Sequence, residues 1–154
     1  MSAQSIGYPK WVRTLEDGLQ RSPDLARNLI LEMTEKSVMA APEVARYFMN
    51  DMQKLGLCFA IDNFGAGQTS LVQLRDFYFD IIKMDGQFTK NLAQSADNQA
   101  LIQAVIGIAG SFEMFCVAQN VETASDAEML TTLGVDCLQG YHLGVPTLTP
   151  PWRQ

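Results

Sequence analysis

The sequence predicts an α/β fold in which about five parallel strands alternate with helices. Three observations carry that expectation. First, an apolar strand-length run, a polar group, a loop and a helix-patterned segment follow one another five times along the chain. Second, the clearest of these runs, Leu57-Cys58-Phe59-Ala60-Ile61, is continuous and not alternating, as suits a strand covered on both faces. Third, that run leads into Asp62-Asn63-Phe64-Gly65-Ala66-Gly67. A carboxylate there closes the strand and two glycines allow a tight turn. Right-handed crossovers between such strands bring every strand-closing polar group to one end of the sheet.

The elements follow in order. Pro9 opens an amphipathic helix to about Arg21, with Trp11, Val12, Leu15 and Leu19 at helical spacing, and Ser22-Pro23-Asp24 breaks it. Asn28 to Glu35 holds the first strand, Leu29-Ile30-Leu31 leading into Glu32-Met33-Thr34-Glu35. Pro42 to Leu55 reads as a helix with Val44, Tyr47, Phe48, Met52 and Leu55 on one face, and Gly56 suits its C-terminal cap. After the central strand a short helix is expected from about Thr69 to Arg75. Phe79-Asp80-Ile81-Ile82 then runs into Lys83-Met84-Asp85. Asn98 to Phe112 is a helix with Leu101, Ile102, Val105, Ile106 and Ala109 on one stripe. Phe115-Cys116-Val117-Ala118 runs into Gln119-Asn120-Val121-Glu122. Ser125, with Glu128 three residues on, is the expected N-cap of a helix to Leu133, which Gly134 stops. Val135 to Leu138 leads into Gln139-Gly140-Tyr141, and the tail through Pro146, Pro150 and Pro151 is irregular.

Composition narrows the function. The 154 residues make one domain, 1–154, with a sizeable core but a length short for a closed eight-stranded barrel. A net charge of −6 excludes the basic surface that nonspecific DNA or RNA binding needs. A small anionic ligand would need metal ions or local Lys and Arg to offset that acidity. Cys58, Cys116 and Cys137 lie far apart in apolar runs, so they read as reduced core thiols and not as a disulfide frame or zinc site. The first seven residues lack a leader pattern, and the apolar stretch Ala100 to Ala118 is broken by Gln103, Gly107, Gly110, Ser111 and Glu113. No membrane partner and a cytoplasmic location are therefore expected. Most methionines fall at apolar positions and read as core filler.

The strand ends collect Glu32, Glu35, Asp62, Asn63, Lys83, Asp85, Gln119, Glu122 and Gln139. Carboxylates converging with a lysine suit a hard cation held by oxygen ligands, the ammonium steadying an anion. The alternative is that each group caps a helix or satisfies a loop. Phe64 reads as packing under the loop, and lone His142 as a loop residue. Trp152 suits packing across an open end or an interface.

In their order, Glu32-Met33-Thr34-Glu35, Asp62-Asn63-Phe64-Gly65-Ala66-Gly67, Ile82-Lys83-Met84-Asp85, Val117-Ala118-Gln119-Asn120-Val121-Glu122-Thr123 and Gln139-Gly140-Tyr141 resemble the EAL domain family. The resemblance runs from about Ser2 to Pro146 and implies a partial TIM-type (β/α) barrel. That family consists of cyclic di-GMP phosphodiesterases on a modified eight-stranded barrel, which form linear pGpG with Mg²⁺ or Mn²⁺. Carried over residue by residue, it implies Glu32 and Asp62 as metal ligands, with Asn63 beside them at a second metal. Glu35 would anchor the loop after the central strand. Lys83, contacting the attacking water or the metal site, and Glu122 would be the catalytic residues; Glu122 and Gln139 would line the substrate and metal pocket, and Asp85 with Gln139 would bind the ligand.

Departures from the pattern point away from activity. Asn63 stands where the family has a second Asp, and an amide brings no negative charge to a cation. Gln119 stands where it has a Glu, and Gln accepts no proton near neutral pH. Asn120 replaces a glycine, which puts the local backbone in doubt. The Glu-Ala-Leu motif and the family's first three strands have no counterpart, and Met1 stands where an Asn ligand would fall. The expected role is therefore a degenerate signalling domain with no appreciable phosphodiesterase activity, engaged in nucleotide sensing or protein interaction, with a weak metal site or none. The open sheet edges of an incomplete barrel invite self-association or a protein partner. The competing readings are an active enzyme whose missing ligands come from a partner chain, and a remnant that merely folds.

Overall fold

A computed structural model of the chain describes residues 1–67 and 74–149. At its centre is a parallel sheet of β1 (Ile30–Thr34), β2 (Cys58–Phe64), β3 (Ile81–Met84), β4 (Phe115–Ala118) and β5 (Cys137–Leu138). The strands lie in chain order, β1-β2-β3-β4-β5, so each connection steps one place along the sheet. That progression is the wall of a (β/α) barrel, not the reversing order of a doubly wound sheet. The described helices are α1 (Ala3–Ile6), α2 (Pro9–Arg21), α3 (Glu35–Ala40), α4 (Pro42–Lys54), α5 (Ala96–Ser111) and α6 (Ala124–Leu133). Short 3₁₀ turns at Pro23–Asn28 and Leu92–Gln94 complete the list. The expected partial TIM-type barrel with its five strands is present. The helix expected over Thr69 to Arg75 falls mostly outside the described residues, as do Pro150, Pro151 and Trp152. Among the described residues no helix is long and apolar enough to cross a membrane.

Strand parity divides the sheet into two unlike faces. Met33, Phe59, Ile61, Ile82, Met84, Cys116 and Ala118 point to one side and are all buried, in one cluster with Phe48, Met52, Ile102, Val105 and Leu130 from the helices. Phe48 of α4 meets Phe59 edge-on with ring centroids 6.0 Å apart. Trp11 of α2 meets the Phe48 ring at a tilt of 47°, centroids 5.9 Å apart. A fully buried side chain such as Phe59, Met33 or Ile82 contributes roughly 1.5–3 kcal/mol by leaving water. The register sets Ile30 beside Cys58, Ile81 beside Phe115, and Lys83 beside Val117 on the other side of the sheet. Among the described residues that second face carries no helix.

Four expectations need correction. On α4 the buried residues are Ala45, Phe48, Met49 and Met52, an i, i+3, i+4, i+7 stripe, whereas Val44, Tyr47 and Leu55 are exposed. Tyr47 instead lies under the Arg46 guanidinium, 5.0 Å from the ring centroid. On α5, Leu101 faces solvent while Ile102, Val105 and Ala109 are buried. The N-cap of α6 is Thr123, not Ser125. Its hydroxyl oxygen accepts from the Asp126 N–H at 3.1 Å and donates to Asp126 Oδ2 at 2.7 Å. Asp126 Oδ1 also accepts from the Ala93 N–H at 3.0 Å, which ties the cap to the preceding turn and decides between two overlapping capping boxes. The cysteines are all free, but only Cys116 is buried; Cys58 is half-buried and Cys137 exposed, because both lie on the helix-free face. The methionine reading fits, since Met33, Met49, Met52, Met84 and Met114 are buried.

A structural repeat runs through the wall. Gln119 follows Asp62 by 57 positions, Asp62 near the end of β2 and Gln119 just past β4. The next residues, Asn63 and Asn120, both adopt left-handed backbone, with φ of 55° and 56°. At the opposite end, Asp80 Oδ2 accepts from the Phe59 N–H at 2.7 Å, and Asp136 Oδ2 from the Cys116 N–H at 2.8 Å. Thus β2–β3 and β4–β5 are two copies of one unit, each latched by an aspartate that precedes its second strand. Replacing Thr123 by Ala is expected to lower stability by about 1 kcal/mol, while Ser125→Ala changes it by a few tenths at most. Urea denaturation of the two variants checks this.

Candidate functional site

The carboxyl ends of the strands form one rim, and its centre is Lys83. Lys83 Nζ lies 2.7 Å from Glu32 Oε1 of β1 and 3.8 Å from Asp62 Oδ1 of β2. The lysine side chain is 9% exposed against 46% for Glu32, so the ammonium depends on these two acids for its partners. Amides take up the rest of Asp62. Gln119 Nε2–H donates to its Oδ1 at 3.0 Å and Asn63 Nδ2–H to its Oδ2 at 3.3 Å. Gln119 is itself held by Thr89, whose hydroxyl donates to the Gln119 backbone carbonyl at 2.7 Å. Gln119 Oε1 is buried without a hydrogen-bond partner. The amino terminus of Met1 donates to the Glu32 backbone carbonyl on the free side of β1.

Glu35 sits apart from this cluster. Buried at the start of α3, its Oε2 accepts from the Gly65 N–H at 2.9 Å and the Gly67 N–H at 3.1 Å. Both glycines are needed here. Gly65 has φ +91° and abuts the Phe88 ring, and a Cβ on Gly67 would press on the Glu35 carboxylate. Gln87 Nε2–H adds a bond to the Gly65 carbonyl at 3.1 Å. Phe64 is buried beneath the loop, as expected.

The remaining predicted residues are near the rim but outside the cluster. Asp85 Oδ1 accepts from the Gln87 N–H at 2.8 Å, so it caps its own turn. Glu122 and Gln139 line a hollow of about 300 Å³ with Asn120, Gly140 and Tyr141. Gly140 lies so close to the Val121 backbone that no side chain fits there. Asn120 packs its amide against Gly86, in space that any other residue at position 86 would fill. Its left-handed φ is one that glycine adopts freely and asparagine tolerates. His142 is exposed in the turn beyond. A larger hollow of about 710 Å³ lies between Arg46 and Tyr78, away from all these groups. Sequence reasoning missed Thr89, Gln87 and Asp126, whose roles rest on contacts between distant turns.

The donor set does not fit a pair of divalent cations. Among the described residues no three Asp, Glu, His or Cys side chains converge. The two acids that do converge share one ammonium, and Gln119 turns its nitrogen, not its oxygen, toward Asp62. A hard cation takes about six or more oxygen ligands, far beyond what two partly engaged carboxylates offer.

Comparison with known proteins places these features in a family. The EAL domain model matches residues 1–146. The chain belongs to the EAL domain family. It is 31% identical over 146 residues to MucR of Pseudomonas aeruginosa, a bifunctional diguanylate cyclase/cyclic di-GMP phosphodiesterase. That match takes in 95% of this chain and 21% of MucR, so the chain spans about a fifth of that relative's length. The MucR phosphodiesterase solved as a c-di-GMP complex superimposes with a TM-score of 0.87 at 30% identity, over 99% of this chain and 61% of that one. Klebsiella pneumoniae BlrP1, solved at pH 9.0 with manganese and cy-diGMP, gives 0.81 at 28% identity, over 92% and 36%.

Within this EAL domain, the Glu35 anchor is the part of the rim most open to a direct stability test. Glu35→Ala leaves two loop N–H groups without this acceptor and is expected to cost about 2 kcal/mol. Urea denaturation measures the loss, and faster hydrogen exchange at Gly65 and Gly67 assigns it to the loop.

Proposed function

We propose that this EAL domain is a cyclic di-GMP signalling domain without phosphodiesterase activity of its own, serving in nucleotide sensing or protein interaction. One observation carries the reading: both oxygens of Asp62 accept from amides while Lys83 neutralises Asp62 and Glu32 together. Hydrolysis of a phosphodiester between two metal ions needs anionic oxygens free to hold them. At this rim the positions next to Asp62 are filled by Asn63 and Gln119, which bring no charge. The nucleotide assignment draws support from the relatives, since MucR was solved with c-di-GMP and BlrP1 with manganese and cy-diGMP. Mg²⁺ or Mn²⁺ is accordingly the ion to test. In this reading Glu122 and Gln139 contact the nucleotide, with Asp85 close by, and Lys83 is spared for the acids.

A second reading keeps the enzyme and takes its missing ligands from a partner chain. The buried, unpartnered Gln119 Oε1 favours it, because an acceptor in that position would be satisfied by a cation once further ligands arrived.

The wild-type chain is expected to release no pGpG from cyclic di-GMP in the presence of Mn²⁺. The Asn63→Asp/Gln119→Glu double variant is expected to bind Mn²⁺ at least about tenfold more tightly, because each change adds a charged oxygen donor. Titration calorimetry with Mn²⁺, with cyclic di-GMP and with both measures the binding. Turnover by the purified wild-type chain would overturn the inactive reading. Nucleotide binding that appears only with Mn²⁺ would show that the two acids still seat an ion.

A further inference from the structure

We propose that Asn120 is a positioning residue that sets the loop 63–67 from two strands away, through a row of contacts closed onto glycines along the rim. This role rests on packing and not on nucleotide binding, so either reading stands if the other fails.

Each pair of neighbouring strand ends shares one such contact. Beyond β5, a Cβ on Gly140 would fall 2.7 Å from the Val121 carbonyl carbon, and the His142 N–H donates to the Val121 carbonyl at 3.0 Å. Beyond β4, Asn120 covers Gly86, where a Cβ would fall 2.8 Å from both Cβ and Cγ of the asparagine. The Thr89 hydroxyl joins the same two segments through the Gln119 carbonyl at 2.7 Å. Beyond β3, the Phe88 ring covers Gly65, where a Cβ would fall 2.6 Å from Cζ. Gln87 Nε2–H donates to the Gly65 carbonyl beside it. Beyond β2, a Cβ on Gly67 would meet Glu35 Oε1 at 2.9 Å, and Glu35 Oε2 accepts from the Gly65 and Gly67 N–H groups. All four approaches are closer than a side chain allows.

Contacts this tight pass a displacement on instead of absorbing it, because close-packed groups have few intermediate arrangements. The turn between Asn120 and Gly65 is stiff as well. The Phe88 N–H donates to the Asp85 carbonyl at 3.1 Å and the Gln87 N–H to Asp85 Oδ1 at 2.8 Å, so Gly86, Gln87 and Phe88 move as one piece. Asn120 also faces open space. It lines the hollow that holds Glu122 and Gln139, and a second one of about 240 Å³ with Thr89, Lys90 and Thr123. A group seated in either hollow therefore bears on Asn120, and the loop that follows Asp62 registers it.

Amide hydrogen exchange, followed by NMR on the chain without nucleotide, provides the test. Asn120 already has left-handed backbone, so Asn120→Gly keeps the turn while removing the cover from Gly86. It is expected to speed exchange at Gly65 and Gly67 by about fivefold or more. The Phe59 and Cys116 amides, held by Asp80 and Asp136 at the far end of the sheet, are expected to keep their rates. Gly86→Ala, which drives Asn120 from its place, is expected to loosen the loop likewise. Combining the two puts a methyl where the amide was and is expected to restore protection, since Gly86 lies outside the left-handed region and alanine fits its backbone. In a Gln87→Ala background the effect of Asn120→Gly is expected to shrink. Unchanged exchange at Gly65 and Gly67 in Asn120→Gly would overturn the proposal. So would an equal rise at all four amides, which is general loosening. An undiminished effect with Gln87→Ala would overturn it too, because the coupling would then run through the Gln119–Asp62 bond.

Discussion

A buried ammonium must keep acidic partners beside it, and Lys83 finds both of its partners on neighbouring strands. That single requirement couples the register of β1, β2 and β3 to the chemistry of the rim. Glu32 and Asp62 reach Lys83 because each lies at the inward parity of its strand, Glu32 one pleat below Asp62 in the register. The arrangement also spends the negative charge that a cation would use. Strand register and rim chemistry thus draw on the same three side chains.

The repeat within the wall explains why Gln119 matters as much as it does. As the positional counterpart of Asp62 in the second unit, it leaves its strand in the same direction and meets Asp62 across β3. An acid at both positions would put two negative charges within hydrogen-bonding distance, a repulsion that a cation or a shared proton must offset. With Gln119 the same contact becomes a neutral-to-charged hydrogen bond that needs no ion. The substitution converts a repulsive pair into a cohesive one.

Much of this was legible in the residues, and the failures have physical causes. Continuous apolar runs announce strands, which is why all five were found near their true positions, although only one face of the sheet is covered by helices. The same continuity hides parity, because a run without alternation does not say which residues face the helices. Cys58 and Cys137 were read as core thiols for that reason. The α4 face was misread because its apolar residues outnumber one stripe, and only packing against β2 picks Ala45, Phe48, Met49 and Met52. Thr123 and Ser125 compete as caps on local grounds, and a bond from Asp126 to distant Ala93 settles the choice. At the rim, the grouping of Glu32, Asp62, Lys83 and Gln119 followed from strand order alone. The set-apart placing of Asp85, Glu122 and Gln139 did not, because it depends on how each loop turns after leaving its strand.

The two aspartate latches have a further consequence. Asp80 and Asp136 bind the wall at the end remote from Asn63 and Gln119, so part of its cohesion does not pass through the rim. Acids at the upper end can be exchanged for amides while the lower end continues to hold the units in line. The latches therefore hold each pair of strands in line whatever side chains stand on the rim above them.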